Sequence, residues 1–345
     1  MRWVAWRARR CTTVLGVLLV ERAYWVCPVC GTGQAPDDVR WELPPGQTTW
    51  AVQHGVALVG QALPFAHAAA VYTRLTGVPV SSKSVEAWTE AVGQAYTPPV
   101  PDRYTPGPAA DTLFVLADAG KMPLRGPEPW KERKVFAAWR RVAGEDAPIR
   151  YAVGTGRWDE QRQVVADLAR REGSRRARTV VCLADGAEAI WKLLTRLWPD
   201  AVQLLDWFHL MAHLAEVVAV HPDGVAWRTA QQTALRTQGP RPTLRALAQL
   251  ARTGSSEAVR QAARACLRYM WPHRHRMDYP AALQRGYPIG SGRIESAVKQ
   301  VLQARCKQTG MRWDGQHLDW MLATRCAYLN GDWDLACRQV RRKAA

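Results

Sequence analysis

"TVVCLADGAEAIWKLLTRLWPDAVQLLDWFH", residues 179–209, is the stretch on which the fold turns. It opens with a β-rich apolar run, "TVVCLAD" (179–185), that is too short for a stable helix and ends in Asp185. "AEAIWKLLTRLWPDA" follows as a helical pattern, and "AVQLLDWFH" (201–209) reads as a further strand. The first theme already occurs upstream in "TLFVLAD" (112–118), which ends in Asp118. Beside it, "ERKVFAAWRRV" (132–142) and "IRYAVGT" (149–155) read as strands, and "WDEQRQVVADLARREG" (158–173) as an amphipathic helix ended by Gly173. Three strands, a helix, then strand, helix and strand predict an α/β fold with a mixed sheet. The first part of this core spans 111–209.

Residues 210–285 look almost wholly helical, as in "TLRALAQLARTG" and "SEAVRQAARACLRYMW", and read as an all-α insertion. After it comes "GYPIGSGRIESAVKQ" (286–300), a Gly-Ser-Gly turn that opens a helix and returns the chain to the core over 286–345. A P-loop is excluded, because the Gly-Lys-Ser/Thr ending that would place a phosphate-binding lysine is missing. With Gly292 as N-cap, Glu295 falls at the third helical position, where the helix dipole favours an acid. It also stands one turn from Lys299, at ion-pair spacing. Capping and catalysis are both open for Glu295 on the residues alone.

Two predicted strands end in Asp118 and Asp185, and in an open α/β sheet the strand ends flank the reactive crevice. Carboxylates there suit hard divalent cations such as Mg²⁺, which take oxygen ligands. Two such ions about 4 Å apart can activate an attacking oxygen and stabilise a leaving one in phosphoryl transfer. The plainer reading is that Asp185 caps the next helix and Asp118 opens a turn.

Upstream of the core, residues 96–111, "YTPPVPDRYTPGPAAD", contain a proline-rich linker, placed at 97–110. Residues 50–96 read as helices: two segments, a break at Gly77-Val78-Pro79, then "SSKSVEAWTEAVGQ" with serines suited to N-capping. That outline fits a helix-turn-helix and equally a plain three-helix packing. In 1–49, "TVLGVLLVERAYWV" predicts β segments leading to "CPVCGTG". Cys27 and Cys30 form one knuckle of a zinc-ribbon-like site, with Cys11, His54 and His67 as weak completions, since a closed Zn²⁺ site needs four ligands. Basic residues followed by an apolar run imitate a signal peptide, but the run is short, lacks an Ala-x-Ala site and leads into Glu21-Arg22. No stretch reaches the roughly 20 apolar residues of a membrane span, so the expected location is cytoplasmic.

Composition narrows the partner. The chain has 345 residues, 48% of them hydrophobic, which describes a globular protein with two or three domains. Its net charge is 47 − 30 = +17, a balance that favours a polyanion, nucleic acid before membrane. Eight scattered cysteines do not make a disulfide framework. Arg305, Lys307 and Arg312 in "ARCKQTGMRW" are candidate phosphate contacts, and Trp313 packs in a core or stacks on a base.

The blocks "VVCLADGAEAIWKLL…LWPDAVQLLDWFHLMAHL" and "GYPIGSGRIESAVKQVLQARCKQTGMRWDGQHLDWMLATRCAYLNGDWD" resemble ISKra-type insertion-sequence transposases, relatives of the Mutator-like superfamily. The likeness extends to "ERAYWVCPVCGTGQAPDD", to the helical 65–93 region and to "LFVLADAGKMPLRGPEPWKERKVF". It implies a ribonuclease-H-like core of DDE type in which Asp118, Asp185 and Glu295 hold two Mg²⁺ or Mn²⁺ ions. It also implies that Asp206 and His209 in "LLDWFH" shape the site or contact DNA. The implied activity is cleavage of double-stranded DNA at the element's terminal repeats and strand transfer into target DNA, by a nucleoid-associated homodimer or higher assembly. A nuclease of the same fold without strand transfer, and an inactive DNA-binding remnant, are the rival functions. Two departures stand out: Asp118-Ala119-Gly120 replaces the Asp-Gly usual at the first acid, and the chain starts close to the first recognisable block, as a truncated copy would.

Overall fold

The computed structural model describes residues 1–102, 107–290 and 292–344. Residues 103–106 of the proline-rich linker and Ser291 of the Gly-Ser-Gly turn lie outside the described residues. The chain divides into two compact units. One comprises Met1–Pro98, Met122–Lys131 and Val301–Ala345; the other comprises Pro99–Lys121 and Glu132–Gln300.

The first unit begins with a hairpin of β1 (Arg2–Thr13) and β2 (Gly16–Val26), with β3 (Gly33–Gln34) beside β2. Helix α1 (Pro36–Arg40) is tied to the hairpin through Asp38, which forms ion pairs with Arg9 and Arg22. Helices α2 (Trp50–Gly60), α3 (Phe65–Thr76) and α4 (Ser82–Ala95) follow at the expected places. Gly77 ends α3 with φ 71°, a left-handed conformation that glycine adopts at little cost. The Ser81 hydroxyl caps α4 by accepting the Ser84 N–H at 3.1 Å. Val52, Val56, Ala68, Tyr72 and Val85 form the shared core.

The second unit is a mixed α/β structure. Strands β4 (Ala110–Pro123), β5 (Trp130–Val142), β6 (Glu145–Asp146), β7 (Arg150–Gly154), β8 (Ala177–Ala184) and β9 (Val202–Leu205) form one sheet. Its order is β6-β5-β4-β8-β9, with β7 antiparallel to β5 and with β8 parallel to both β4 and β9. Helices α5 (Arg162–Arg171) and α6 (Glu188–Leu197) cover one face. Strand alternation sends Leu113, Val115, Ala117, Cys182 and Ala184 into the core beneath them, with Val165, Leu168, Ile190 and Leu194. Phe114, Leu116 and Asp118, and likewise Val181, Leu183 and Asp185, therefore belong to the opposite face.

Helical segments then run α7 (Trp207–Val218), α8 (Gly224–Thr237), α9 (Pro240–Thr253), α10 (Glu257–Met270), α11 (Tyr279–Gln284) and α12 (Gly292–Ala297). Residues 206–209, expected at the end of a strand, instead start α7. The Asp206 carboxylate accepts the N–H groups of Phe208 and His209, and this capping ends the strand at Leu205.

The polypeptide continues through a π-helical turn (Val298–Gln303), α13 (Ala304–Cys306), α14 (Gly315–Leu329) and α15 (Trp333–Ala344). Residues 286–300 lie in the second unit, whereas 301–345, expected with the core, join the first. There α14 and α15 pack on α4. The contact is close because Gly93 has no side chain: a Cβ there would stand 1.9 Å from the Trp320 carbonyl oxygen. Thr324 donates its hydroxyl to the Thr89 carbonyl at 2.9 Å across the same seam. Among the described residues no helix is long and apolar enough to cross a membrane.

The α4–α14 seam gives a direct test. Gly93→Ala must push the two helices apart and is expected to cost about 1–3 kcal/mol in urea unfolding. Wild-type stability in that variant would rule out the close packing.

Candidate active site

Strand register assembles the site. Ala117 of β4 is paired with Ala184 of β8, and Ala184 is paired with Leu205 of β9. The next residue in each chain segment is acidic: Asp118, Asp185 and Asp206. Three carboxylates thus occupy one row, one step beyond the last paired row, on neighbouring parallel strands about 4.8 Å apart. The Asp206 N–H donates to the Ala184 carbonyl at 2.8 Å, which continues the register past the end of β9.

Each acid in the row is held differently. Asp118 accepts the Ala119 N–H at 2.7 Å. Asp185 accepts the Ala187 N–H at 2.9 Å, while its own carbonyl receives the Trp191 indole N–H at 2.7 Å. Among the described residues neither carboxylate has a lysine or arginine partner. Burial pushes the Asp118 carboxyl up to about 6; the Ala119 N–H pulls the other way, and the neighbouring charges of Asp185 and Asp206 add to the rise. Asp206 is fully buried, caps α7 and meets His209 Nδ1 at 2.5 Å. That hydrogen bond raises the His209 pKa against the effect of burial. A carboxylate acceptor at Nδ1 fixes the proton there and leaves Nε2 as the outward nitrogen of a half-exposed ring.

Glu295 lies on α12, whose segment covers the same sheet face as the aspartates. Tyr287 packs edge-on against Phe114 at 5.6 Å, and Arg293 lies 4.5 Å over the Trp139 ring while pairing with Asp146 at 2.8 Å. The Ile289 carbonyl accepts the Trp207 N–H at 2.9 Å, and Gly290 faces the Phe208 ring, where a Cβ would come within 2.7 Å. The Glu295 carboxylate itself is 57% exposed and pairs with Lys299 at 2.8 Å, the i,i+4 contact expected from sequence. Asp118, Asp185 and Glu295 do not form a set with all ligand atoms within 4.8 Å of one another.

The remaining candidates fall in the first unit. Arg305 is 1% exposed and cannot serve as a surface phosphate contact. Its Nε donates to the Gly60 carbonyl at 3.0 Å, its guanidinium lies over the Phe65 and Trp313 rings, and burial lowers its pKa to about 10. Trp313 is a core residue, its indole N–H bonded to the Cys306 carbonyl at 3.0 Å. Lys307 and Arg312 are exposed. Cys27 and Cys30 sit in the loop between β2 and β3, with Cys30 Sγ 3.2 Å from the Thr32 hydroxyl. Cys11, His54 and His67 do not gather around them as a group of ligands among the described residues. The one group of three with ligand atoms within 4.8 Å among those residues is Glu86, Glu90 and His317. Its Glu90–His317 bond of 2.7 Å already joins two of the members. Glu86 and Glu90 share a face of α4 by their i,i+4 spacing, but no sequence signal announces that His317 meets them.

Asp118, Asp185 and Asp206 share a row, but one ligand atom from each does not fall within 4.8 Å of the others, so the row as it stands is an open set of oxygen donors. Asp118 and Asp185 have no lysine or arginine partner among the described residues; burial first, and then the charges of Asp185 and Asp206, raise the Asp118 pKa against the Ala119 N–H and His209. The folded chain holds a proton on Asp118 between about pH 4 and 6 that the unfolded chain has released. Stability therefore falls as pH rises through that window and stays lower above it. Asp118→Asn is expected to stabilise the metal-free protein at pH 8 by up to about 3 kcal/mol and to do little at pH 4. An unchanged unfolding midpoint at pH 8 would refute this electrostatic strain. For the charged Asp206–His209 pair the sign is also set by a raised pKa. Its contribution is complete below the ordinary histidine range and is lost as pH climbs through the His209 value. In Asp206→Asn, which keeps a capping oxygen, the His209 titration followed by NMR is expected to move to lower pH.

No protein-family model matches the chain and no curated protein matches it.

Proposed function

We propose that the chain is a DNA transposase of DDE type, with a ribonuclease-H-like core, that cuts an insertion element's ends and joins them to target DNA. The observation that carries this reading is the row of Asp118, Asp185 and Asp206 on three adjacent parallel strands. A net charge of +17 supports a polyanionic substrate, and the sequence likeness described above supplies the reaction class.

In this reading Asp118 and Asp185 hold the divalent cations, Mg²⁺ or Mn²⁺. When bound, these supply a Lewis acid and charge neutralisation at a phosphoryl group. Asp118 offers its full charge only above about pH 6, so cation affinity rises through that range. Asp206 stays with His209 and fixes the ring, as carboxylates behind functional histidines do. In the imidazolium form, which Asp206 favours by raising the ring's pKa, Nε2–H can donate to a phosphate oxygen or give its proton to a leaving 3′-oxygen. Glu295 would be the third acid, exchanging its Lys299 partner for a share in holding the cation. The π-helical turn directly after α12 supports that adjustment, since such turns are frequent at functional sites. Lys307 and Arg312 contribute exposed positive charge for the DNA backbone, and two protomers bring two DNA ends together.

The test is incubation of purified protein with Mg²⁺ and supercoiled DNA carrying the coding region and its flanks. Cleavage that leaves a 3′-hydroxyl, followed by joining to a second DNA, is expected. Asp118→Asn and Asp185→Asn are each expected to reduce cleavage by about 100-fold or more. Cleavage without joining would support the nuclease reading instead, and full activity in Asp185→Asn would refute the site. Glu295→Gln with wild-type cleavage would leave Asp206 as the third acid.

A further inference from the structure

One group of the all-α insertion lies against the turn that follows Asp185. Tyr269, in the last turn of α10, has a buried hydroxyl whose oxygen faces the Gly186 backbone N–H and whose own O–H meets no acceptor. Its ring lies flush against the turn that follows Asp185. A Cβ on Gly186 would come 2.4 Å from ring carbon Cε2 and 3.0 Å from the hydroxyl oxygen. His213, one turn beyond His209 on α7, stacks on the ring with centroids 3.7 Å apart, and His273 stands 5.7 Å away. The ring is thereby clamped between the Asp185-Gly186 turn and α7. The carboxylates of both Asp185 and Asp206 lie within electrostatic reach of its hydroxyl.

A buried O–H without an acceptor is unfavourable, and in native structures it calls for a cause such as a catalytic role or an ion or water. The clamp needs only the ring, which phenylalanine also has, and the Gly186 N–H uses only a lone pair of the oxygen, so the O–H proton is left over. We propose that Tyr269 is a positioning residue of the acid site, whose O–H holds a water of the bound cation's hydration shell beside Asp185 and Asp206. Mg²⁺ and Mn²⁺ keep several waters when bound by few carboxylates, and a fixed donor orients one of them. The insertion then supplies part of the site, through Tyr269 and the stacked His213. This inference rests on the cation-site reading given above.

The experiment measures Mn²⁺ binding to the full chain by electron paramagnetic resonance, alongside thermal unfolding of the metal-free proteins. Wild type is expected to bind Mn²⁺ and Asp185→Asn to lose that binding. Tyr269→Phe is expected to bind about 10-fold more weakly. Its metal-free unfolding temperature should stay close to wild type, because the loss of an acceptor for the Gly186 N–H is offset by removal of a buried O–H that has no acceptor. Wild-type affinity in Tyr269→Phe, with Asp185→Asn defective, would overturn the role of Tyr269 while leaving the cation site intact. Weaker binding together with a lower metal-free unfolding temperature would assign Tyr269 a purely structural role and overturn the proposal as well. No Mn²⁺ binding by wild type, or equal binding by Asp185→Asn, would overturn both readings.

Discussion

The parallel register that aligns Ala117, Ala184 and Leu205 is the constraint on which the candidate site depends. Because side chains alternate along a strand, a slip of one residue in either pairing would send an aspartate into the apolar core beneath α5 and α6. Burial of Leu113, Val115, Cys182 and Ala184 on that side makes such a slip costly. The hydrophobic pattern therefore fixes the position of polar groups that contribute nothing to the core.

Bringing the carboxylates together has an electrostatic cost. Asp118 is partly buried beside two other acids, and its raised pKa shows that the folded chain resists charging it. Asp206 avoids the same strain by capping α7 and pairing with His209. The folded chain therefore carries at Asp118 a carboxylate that costs it stability, where a neutral asparagine would not.

Elsewhere in the molecule, positive charge has two different fates. Arg305 lies in the core of the first unit, over Phe65 and Trp313, with its Nε bonded to a backbone carbonyl. There it acts as a packing element whose polar edge is satisfied. Lys307, two residues on, is exposed. A net charge read from composition counts both equally, so it names a class of partner without identifying the surface that meets it.

The sequence by itself determined the elements: apolar runs of strand length, the amphipathic helix before β8, the Gly77 and Ser81 caps, and the Glu295–Lys299 spacing. These depend on local periodicity and turn chemistry, which neighbours in the chain decide. Of the row's acids it placed Asp185 at a strand end; Asp118, expected at one, lies inside β4, which runs on to Pro123. Asp206 was legible only as a motif residue, because the short strand Val202–Leu205 before a capping aspartate looks like the middle of a longer strand. Tertiary structure alone decided that Asp206 completes the row, that Arg305 is interior, that α14 and α15 pack on α4 at Gly93, and that Tyr269 meets the Asp185 turn. In each case the decisive contact joins residues far apart in the chain, and it is set by register and close packing. Single-sequence periodicity carries no record of either.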